Sequence, residues 1–458
     1  MTRSERVFLG AAAGAFTLWM VLVTLSGGLH FDDFISIGES RGAVSLEGWT
    51  ATAADGRWQP LKRATFDLIA RAAGLTFWPY ALALAAAHLL TAAAAAFAAR
   101  AIWPGGTAGT LAGLAVLASL NLSAYSLATV GTLHGILSVA FGLWSAAFAL
   151  RAALAPAGEA RFLAFSSIMA LAACLYKETG VTTPVLALYG VWLAARERSV
   201  SPATLAKAVA GPAAGLALYF LLRLVIDVPL VPERSRYSLG GIRPLFLNAA
   251  VVVMNVLPWA AAAALARIGN RRRGVLPELL MMMAAALALT FPSLLLSWSS
   301  PNFWYAAVPA VALGGVGLLR RSDRLSAGLS ALAALTLVVF IGVTATGWIS
   351  GAHRWGPYAE SSLRHWTTFP REGGRIIWFD ADSRARYGGL ARTVGPGERL
   401  TYALRLTSGD PSITALACIS ILVGPPCIAR PGDELYVHEG GRLERVDVPP
   451  PGAWYVMP

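Results

Sequence analysis

The chain has 458 residues, 56% of them hydrophobic and only 14% charged, with 37 Lys and Arg against 25 Asp and Glu. Soluble globular proteins carry about 25% charged residues, so a water-soluble enzyme is excluded. Apolar runs long enough to cross a bilayer recur along residues 1–346. They lack period-two β-branched patterning, which excludes a β-barrel and makes helices the expected spanning element.

The first run, Val7–Ser26, is too long for the apolar part of a cleaved signal and has no small-residue cleavage site before His30–Asp33. It is expected to be a retained first helix. A polar stretch, 27–74, separates it from further spans at Leu75–Ala99, Thr107–Ala124, Gly131–Arg151, Phe162–Tyr176 and Thr179–Ala195. Five more follow at Ala206–Ile226, Leu245–Ala266, Val275–Ser297, Phe303–Leu319 and Leu325–Thr346. Phe162–Tyr176 and Thr179–Ala195 are short and separated only by Lys177-Glu178, which leaves a re-entrant hairpin open for that pair. From Gly347 the pattern changes. Apolar and polar residues alternate, as at Ile376–Phe379 and Leu400–Leu406, between Pro/Gly clusters such as Gly395-Pro396-Gly397. The expected architecture is an all-α polytopic membrane domain of about eleven transmembrane helices over 1–346, with an outer loop at 27–74. A small β-rich extracytoplasmic domain follows over 347–458.

With the N-terminus in the cytoplasm, the inner segments hold fifteen basic residues against five acidic ones, so most of the +12 net charge lies on one side. This positive-inside asymmetry places the C-terminal domain outside, in the periplasm of a bacterial inner membrane. It also removes the case for a nucleic-acid partner, because no basic patch is left once the topology charges are set aside. Of the three cysteines, Cys174 lies in an apolar run, whereas Cys418 and Cys427 in the tail can pair in an oxidising compartment.

Three groups of residues can carry chemistry. His30-Phe31-Asp32-Asp33 puts two carboxylates just beyond the first helix. One can act as general base toward an acceptor hydroxyl, and the pair can hold a divalent cation such as Mg or Mn. The alternative is an ordinary solvated pair ending a helix. Tyr176-Lys177-Glu178-Thr179-Gly180 interrupts an apolar stretch with charge, which is costly unless the charges pair or line a cavity; the alternatives are a solvated loop and a phosphate site at Lys177. The third group is Arg57-Trp58-Gln59-Pro60-Leu61, with Tyr80 and His88 on the next span. His30, His88, His134 and Tyr305 are further candidates to line a cavity. There is no zinc spacing, GxSxG elbow, Walker loop or dinucleotide fingerprint.

In order and spacing these pieces resemble the GT-C class of membrane glycosyltransferases, above all the bacterial relatives of the tetratricopeptide-repeat protein O-mannosyltransferases. The acidic pair matches at Asp32-Asp33. The aromatic-Arg-Pro-Leu segment matches at Trp58, Pro60 and Leu61, with Gln59 replacing Arg. The Tyr-His…Asn…His run matches at Tyr80 and His88, with Ala81 and Leu84 replacing the first His and the Asn. Ser-Lys-Glu-Thr-x-x-x-x-Pro matches at Lys177, Glu178, Thr179 and Pro184, with Tyr176 replacing Ser. Trp304-Tyr305 and Pro309 echo the family's later Arg-Tyr-x-Tyr-x-Pro without its Arg. The resemblance covers roughly 7–320. It implies transfer of a sugar from a polyprenyl-phosphate donor held among the helices, with inversion, to an acceptor hydroxyl of a protein, glycolipid or polysaccharide. Asp32 or Asp33 would be the base. Lys177, Glu178 and one or more of Arg234, Arg236 and Arg243 would hold the donor phosphate. Two rivals stand beside this reading. A transporter or flippase would need ionisable residues in mid-span, and these instead cluster at the helix ends; a non-catalytic scaffold accords with the replaced motif residues.

Overall fold

The computed structural model describes residues 32–52, 57–104, 108–119, 129–154, 158–228, 276–294 and 301–320 continuously, with scattered positions elsewhere and short runs of the tail between 375 and 456. The described part is mostly helical. Three short helices come first, α1 (Asp32–Gly38), α2 (Leu46–Thr50) and α3 (Pro60–Ala73). The bundle follows as α4 (Phe77–Ile102), α5 (Ala108–Ala118), α6 (Leu133–Leu154), α7 (Glu159–Tyr176), α8 (Thr183–Ala195), α9 (Pro202–Val225), α10 (Leu276–Leu294) and α11 (Val308–Arg320). Single 3-10 segments, Val130–Thr132, Glu178–Thr182 and Pro301–Ala307, lead into α6, α8 and α11.

Among the described residues, five helices are long and apolar enough to cross a membrane: Phe77–Ile102, Val130–Leu154, Glu159–Tyr176, Pro202–Val225 and Leu276–Ser293. Each lies on an expected span. Leu325–Thr346 and most of Leu245–Ala266 lie outside the described residues, and Val7–Ser26 is described only at scattered helical positions.

Apolar side chains give little preference for one another over lipid, so bundle packing rests on close backbone approach and polar contacts between helices. Both are present. Ala94, Ala95, Ala98 and Ala99 of α4 are fully buried. On α9, a Cβ at Gly211 or Gly215 would collide with Ser166 or with the Ser167 backbone of α7, so the one-turn Gly pair fixes that crossing. Between α6 and α7 the Ser145 hydroxyl donates to the Ser166 carbonyl at 2.7 Å, and the Ser166 hydroxyl donates back to the Ser145 carbonyl at 2.9 Å.

One end of the bundle is organised by ion pairs. Arg196 meets Glu278 at 2.8 Å and Lys207 meets Glu159 at 2.8 Å. Arg198 donates to the Ala101 carbonyl at 2.9 Å, closing a backbone acceptor left open at the C-terminus of α4. At the opposite end lie α1 to α3 and the turn at Lys177.

In the tail, β1 (Arg375–Asp380) pairs parallel with β2 (Thr414–Cys418) and with β4 (Glu434–Glu439), and β5 (Arg442–Arg445) pairs antiparallel with β4. A second, two-stranded parallel sheet joins β3 (Cys427–Ile428) to β6 (Tyr455–Val456). Ile376–Phe379 is strand as expected. Within Leu400–Leu406 the described residues, Thr401 and Leu404–Leu406, are helical instead. Parallel neighbours need a crossover, and the leucines at 400 and 404 fit helical spacing as well as alternation. The side chains of Cys418 and Cys427 lie outside the described residues.

Candidate functional site

The Lys177 end is built from two stretches far apart in sequence. Residues 57–73 come down from the loop, and residues 176–182 form the turn between α7 and α8. The second stretch cannot be an uninterrupted helix. Lys177 is extended at φ −160°, ψ 138°, and caps α7 through its own N–H to the Ala173 carbonyl. The chain then doubles back so tightly that a Cβ on Gly180 would fall 2.6 Å from the Ala173 backbone.

Two hydrogen bonds join the stretches. The Gln59 amide donates to Glu178 Oε2 at 2.8 Å, and the Thr65 and Tyr176 hydroxyls meet at 3.0 Å. Beside them Trp58 stacks on Tyr219 of α9 at 5.8 Å between centroids, and the Arg223 guanidinium donates to the Tyr219 hydroxyl at 2.9 Å. The indole N–H of Trp58 donates to the Trp49 carbonyl at 2.8 Å. The loop itself is pinned by one side chain: Arg63 donates to the carbonyls of Glu39, Gly48 and Ala51 at 3.1, 3.0 and 2.9 Å. Asp67 adds a bond from the Val44 N–H at 3.3 Å and a salt bridge to Arg71 at 3.0 Å. Burial pushes the Asp67 carboxyl up, but Arg71 and the backbone N–H groups of Val44 and Gly42 outweigh it and hold it below the usual carboxylate range.

The result is a concentration of positive charge. Arg57, Lys62 and Lys177 all act electrostatically on His134, at the start of α6, and a Cβ on Gly135 would stand 3.6 Å from Lys177 Nζ. Lys62 is buried on the same face of α3 as Phe66, one turn on. Lys177 lies outside the membrane-spanning segments, between α7 and α8. Desolvation, followed by repulsion from Arg57 and then Lys62, pushes its ammonium down to about 8, with Glu178 pulling the other way.

Asp33 of the acidic pair reaches the same start of α6. Asp32 opens α1, and Asp33 is fully buried, its carboxylate accepting from the Gly131 N–H just before α6. The pair is helical in backbone, so successive positions turn by about 100° around one axis and do not alternate as in extended chain. Through its bond to Gly131, Asp33 holds α1 on the start of α6.

Of the expected site residues, the structure therefore brings together Asp33, Lys177, Glu178 and His134. His88 and Tyr305 meet each other elsewhere. Tyr305 OH lies 2.7 Å from His88 Nδ1 and donates to Thr91 Oγ1 at 3.1 Å, and Thr91 donates to the Ala87 carbonyl at 3.0 Å. This chain of donors ties α11's leading turn to α4, and the Phe16 ring packs at 5.4 Å from the imidazole. His88 is eight residues past Tyr80, about 12 Å deeper along α4, so it is a buried contact of the bundle. His30, Arg234, Arg236 and Arg243 lie outside the described residues, as does the Asp32 side chain. The residues that sequence reasoning missed are Arg57, quoted within its motif without a role, and Lys62. The available signal was a lysine on the apolar face of an amphipathic helix.

A dense group of cations beside a carboxylate can hold an anion with several oxygens, such as a phosphate, and stabilise negative charge that grows on it. Among the described residues no three His, Cys, Asp or Glu side chains form a group that could hold a metal ion.

The chain is similar in fold to two crystal structures of ArnT from Cupriavidus metallidurans. One is bound to undecaprenyl phosphate, with a TM-score of 0.55 and 16% identity over 92% of this chain and 94% of that one. The other is in the apo state, with a TM-score of 0.55 and 16% identity over 94% of this chain and 87% of that one. No family model and no curated protein matches the sequence. The chain thus has the fold of a GT-C membrane glycosyltransferase, the class its motifs resemble.

Proposed function

We propose that the protein is a glycosyltransferase that moves a sugar from a polyprenyl-phosphate donor to an acceptor hydroxyl, with inversion, on the outer face of a bacterial inner membrane. The observation that carries this reading is the convergence of Arg57, Lys62 and Lys177 on His134 at the start of α6, whose leading turn also holds Asp33, in a fold shared with a protein that binds undecaprenyl phosphate. The charge asymmetry of the loops supports about eleven spans, a cytoplasmic N-terminus and a periplasmic tail domain over 347–458.

In this mechanism Asp32 takes the proton from the acceptor hydroxyl, because the Asp33 carboxylate is buried on Gly131. The hydroxyl oxygen forms the new bond to the sugar carbon from the face opposite the phosphate. The bond from that carbon to the phosphate oxygen breaks, and its electron pair leaves on the phosphate. The donor phosphodiester carries one negative charge and the released polyprenyl phosphate up to two. Lys177, Lys62 and Arg57 therefore favour the charge that develops. Arg234, Arg236 and Arg243 remain candidates to join them.

The test is transfer by the purified chain from polyprenyl-phosphate sugars to a membrane extract. Labelled product that disappears in Asp32→Asn supports the enzyme. Intact undecaprenyl phosphate binding with no transfer from any such sugar would favour a scaffold instead.

A further inference from the structure

Glu178 was expected to bind the donor phosphate with Lys177, yet a carboxylate repels a phosphate. Its geometry points elsewhere. Oε2 accepts from the Gln59 amide at 2.8 Å. Oε1 is buried away from solvent and has no hydrogen-bond partner among the described residues, and the carboxylate acts electrostatically on Tyr219 and Cys174, in the small apolar cluster of Trp58, Cys174, Leu175, Tyr219 and Val228. The side chain therefore faces into the wall of the site. Its bond to Gln59 spans 119 residues and joins the segment that carries Arg57 and Lys62 to the turn that carries Lys177.

We propose that Glu178 is a positioning residue: it clamps the 57–62 segment onto the Lys177 turn and stands as the counter-charge to the cations that the two stretches bring together. The inference rests on the donor-phosphate reading of this site. It accounts for the cluster's stability, since like cations brought together in a partly buried place repel one another, and a fixed counter-charge offsets that and favours the protonated lysine. It also explains why a neutral residue serves at position 59. An amide donates to the carboxylate without cancelling the charge that faces Lys177.

The groups that face Lys177 include Arg57, Lys62, Glu178 and the His134–Gly135 start of α6. Two conservative variants separate clamp from charge. Glu178→Gln keeps the shape and an oxygen for Gln59 but removes the charge. Glu178→Asp keeps the charge but is one methylene too short for the bond.

The experiment follows acetylation of Lys177 against pH by mass spectrometry on the full chain in detergent, a readout that needs no ligand. The wild-type midpoint is expected near 8, with Glu178→Gln about one pH unit lower and Glu178→Asp unchanged. In parallel, Glu178→Asp should bind undecaprenyl phosphate about fivefold more weakly, the size of one lost hydrogen bond. An unmoved midpoint in Glu178→Gln would overturn the electrostatic role, and wild-type affinity in Glu178→Asp would overturn the clamp. A wild type that does not bind undecaprenyl phosphate overturns the donor reading instead, while the labelling midpoints still decide the role of the charge.

Discussion

The two ends of the bundle use charge in opposite ways. At one end Arg196 meets Glu278, Lys207 meets Glu159, and Arg198 closes α4 by donating to a carbonyl at its C-terminus. At the other, Arg57, Lys62 and Lys177 crowd together, and the nearby carboxylate of Glu178 takes its hydrogen bond from a neutral amide. Ion pairs at the edge of a bundle fix helices cheaply. Crowding like charges where they are partly buried costs stability, and such arrangements cluster at functional sites. On the proposed reading the same residue types serve as fasteners at one end and as a receptor at the other.

The largest effect expected at the receptor end is from Asp32→Asn. Loss of a positioned general base slows transfer by about 10²–10⁴-fold, while undecaprenyl phosphate binding survives. Rate and affinity measured on the same preparation check this, and a normal rate would remove Asp32 from the mechanism.

Lys177→Ala comes next, weakening undecaprenyl phosphate binding by about 2–4 kcal/mol, the scale of one preorganised charge contact. The wild type should show the pH signature of that charge. A bound phosphate favours the protonated lysine, so affinity is held below pH 8 and falls as pH rises through the value near 8 at which Lys177 loses its proton. Affinity flat to pH 10 would mean that Lys177 does not face the ligand.

Asp33 sharpens the contrast within the acidic pair. Asp33→Ala strips the Gly131 N–H of its acceptor in a buried site and should cost about 1–3 kcal/mol of stability, read from thermal unfolding in detergent. Equal stability in Asp33→Ala and wild type would break the division of labour between the two carboxylates.

The smallest effect is expected at the fastening end. The Lys207–Glu159 pair is partly exposed, and pairs of that kind contribute roughly 0–1 kcal/mol. Lys207→Ala should leave both transfer and ligand binding unchanged.

How much of this was legible in the sequence follows from which interactions are local. Long apolar runs mark α4, α6, α7, α9 and α10 because a span needs about 20 apolar residues in a row. Lys177 was visible because it breaks such a run. The conformation of Asp32-Asp33 was not, since a two-residue pattern has no period and the partner of Asp33, Gly131, lies 98 positions away. Arg57 and Lys62 were hidden for the same reason: nothing near them in sequence says that Gln59 will find Glu178. Leu400–Leu406 misled because alternating leucines also satisfy a helical repeat.

The central claim is that the Lys177 end holds the phosphate of a polyprenyl carrier and the Lys207 end does not. The direct measurement is the affinity of the purified full chain for undecaprenyl phosphate at pH 7, in wild type, Lys177→Ala and Lys207→Ala. The account predicts that wild type and Lys207→Ala bind alike and that Lys177→Ala binds at least about thirtyfold more weakly, the lower end of one lost charge contact. Equal affinity in all three proteins, or equal loss in both lysine variants, would contradict it.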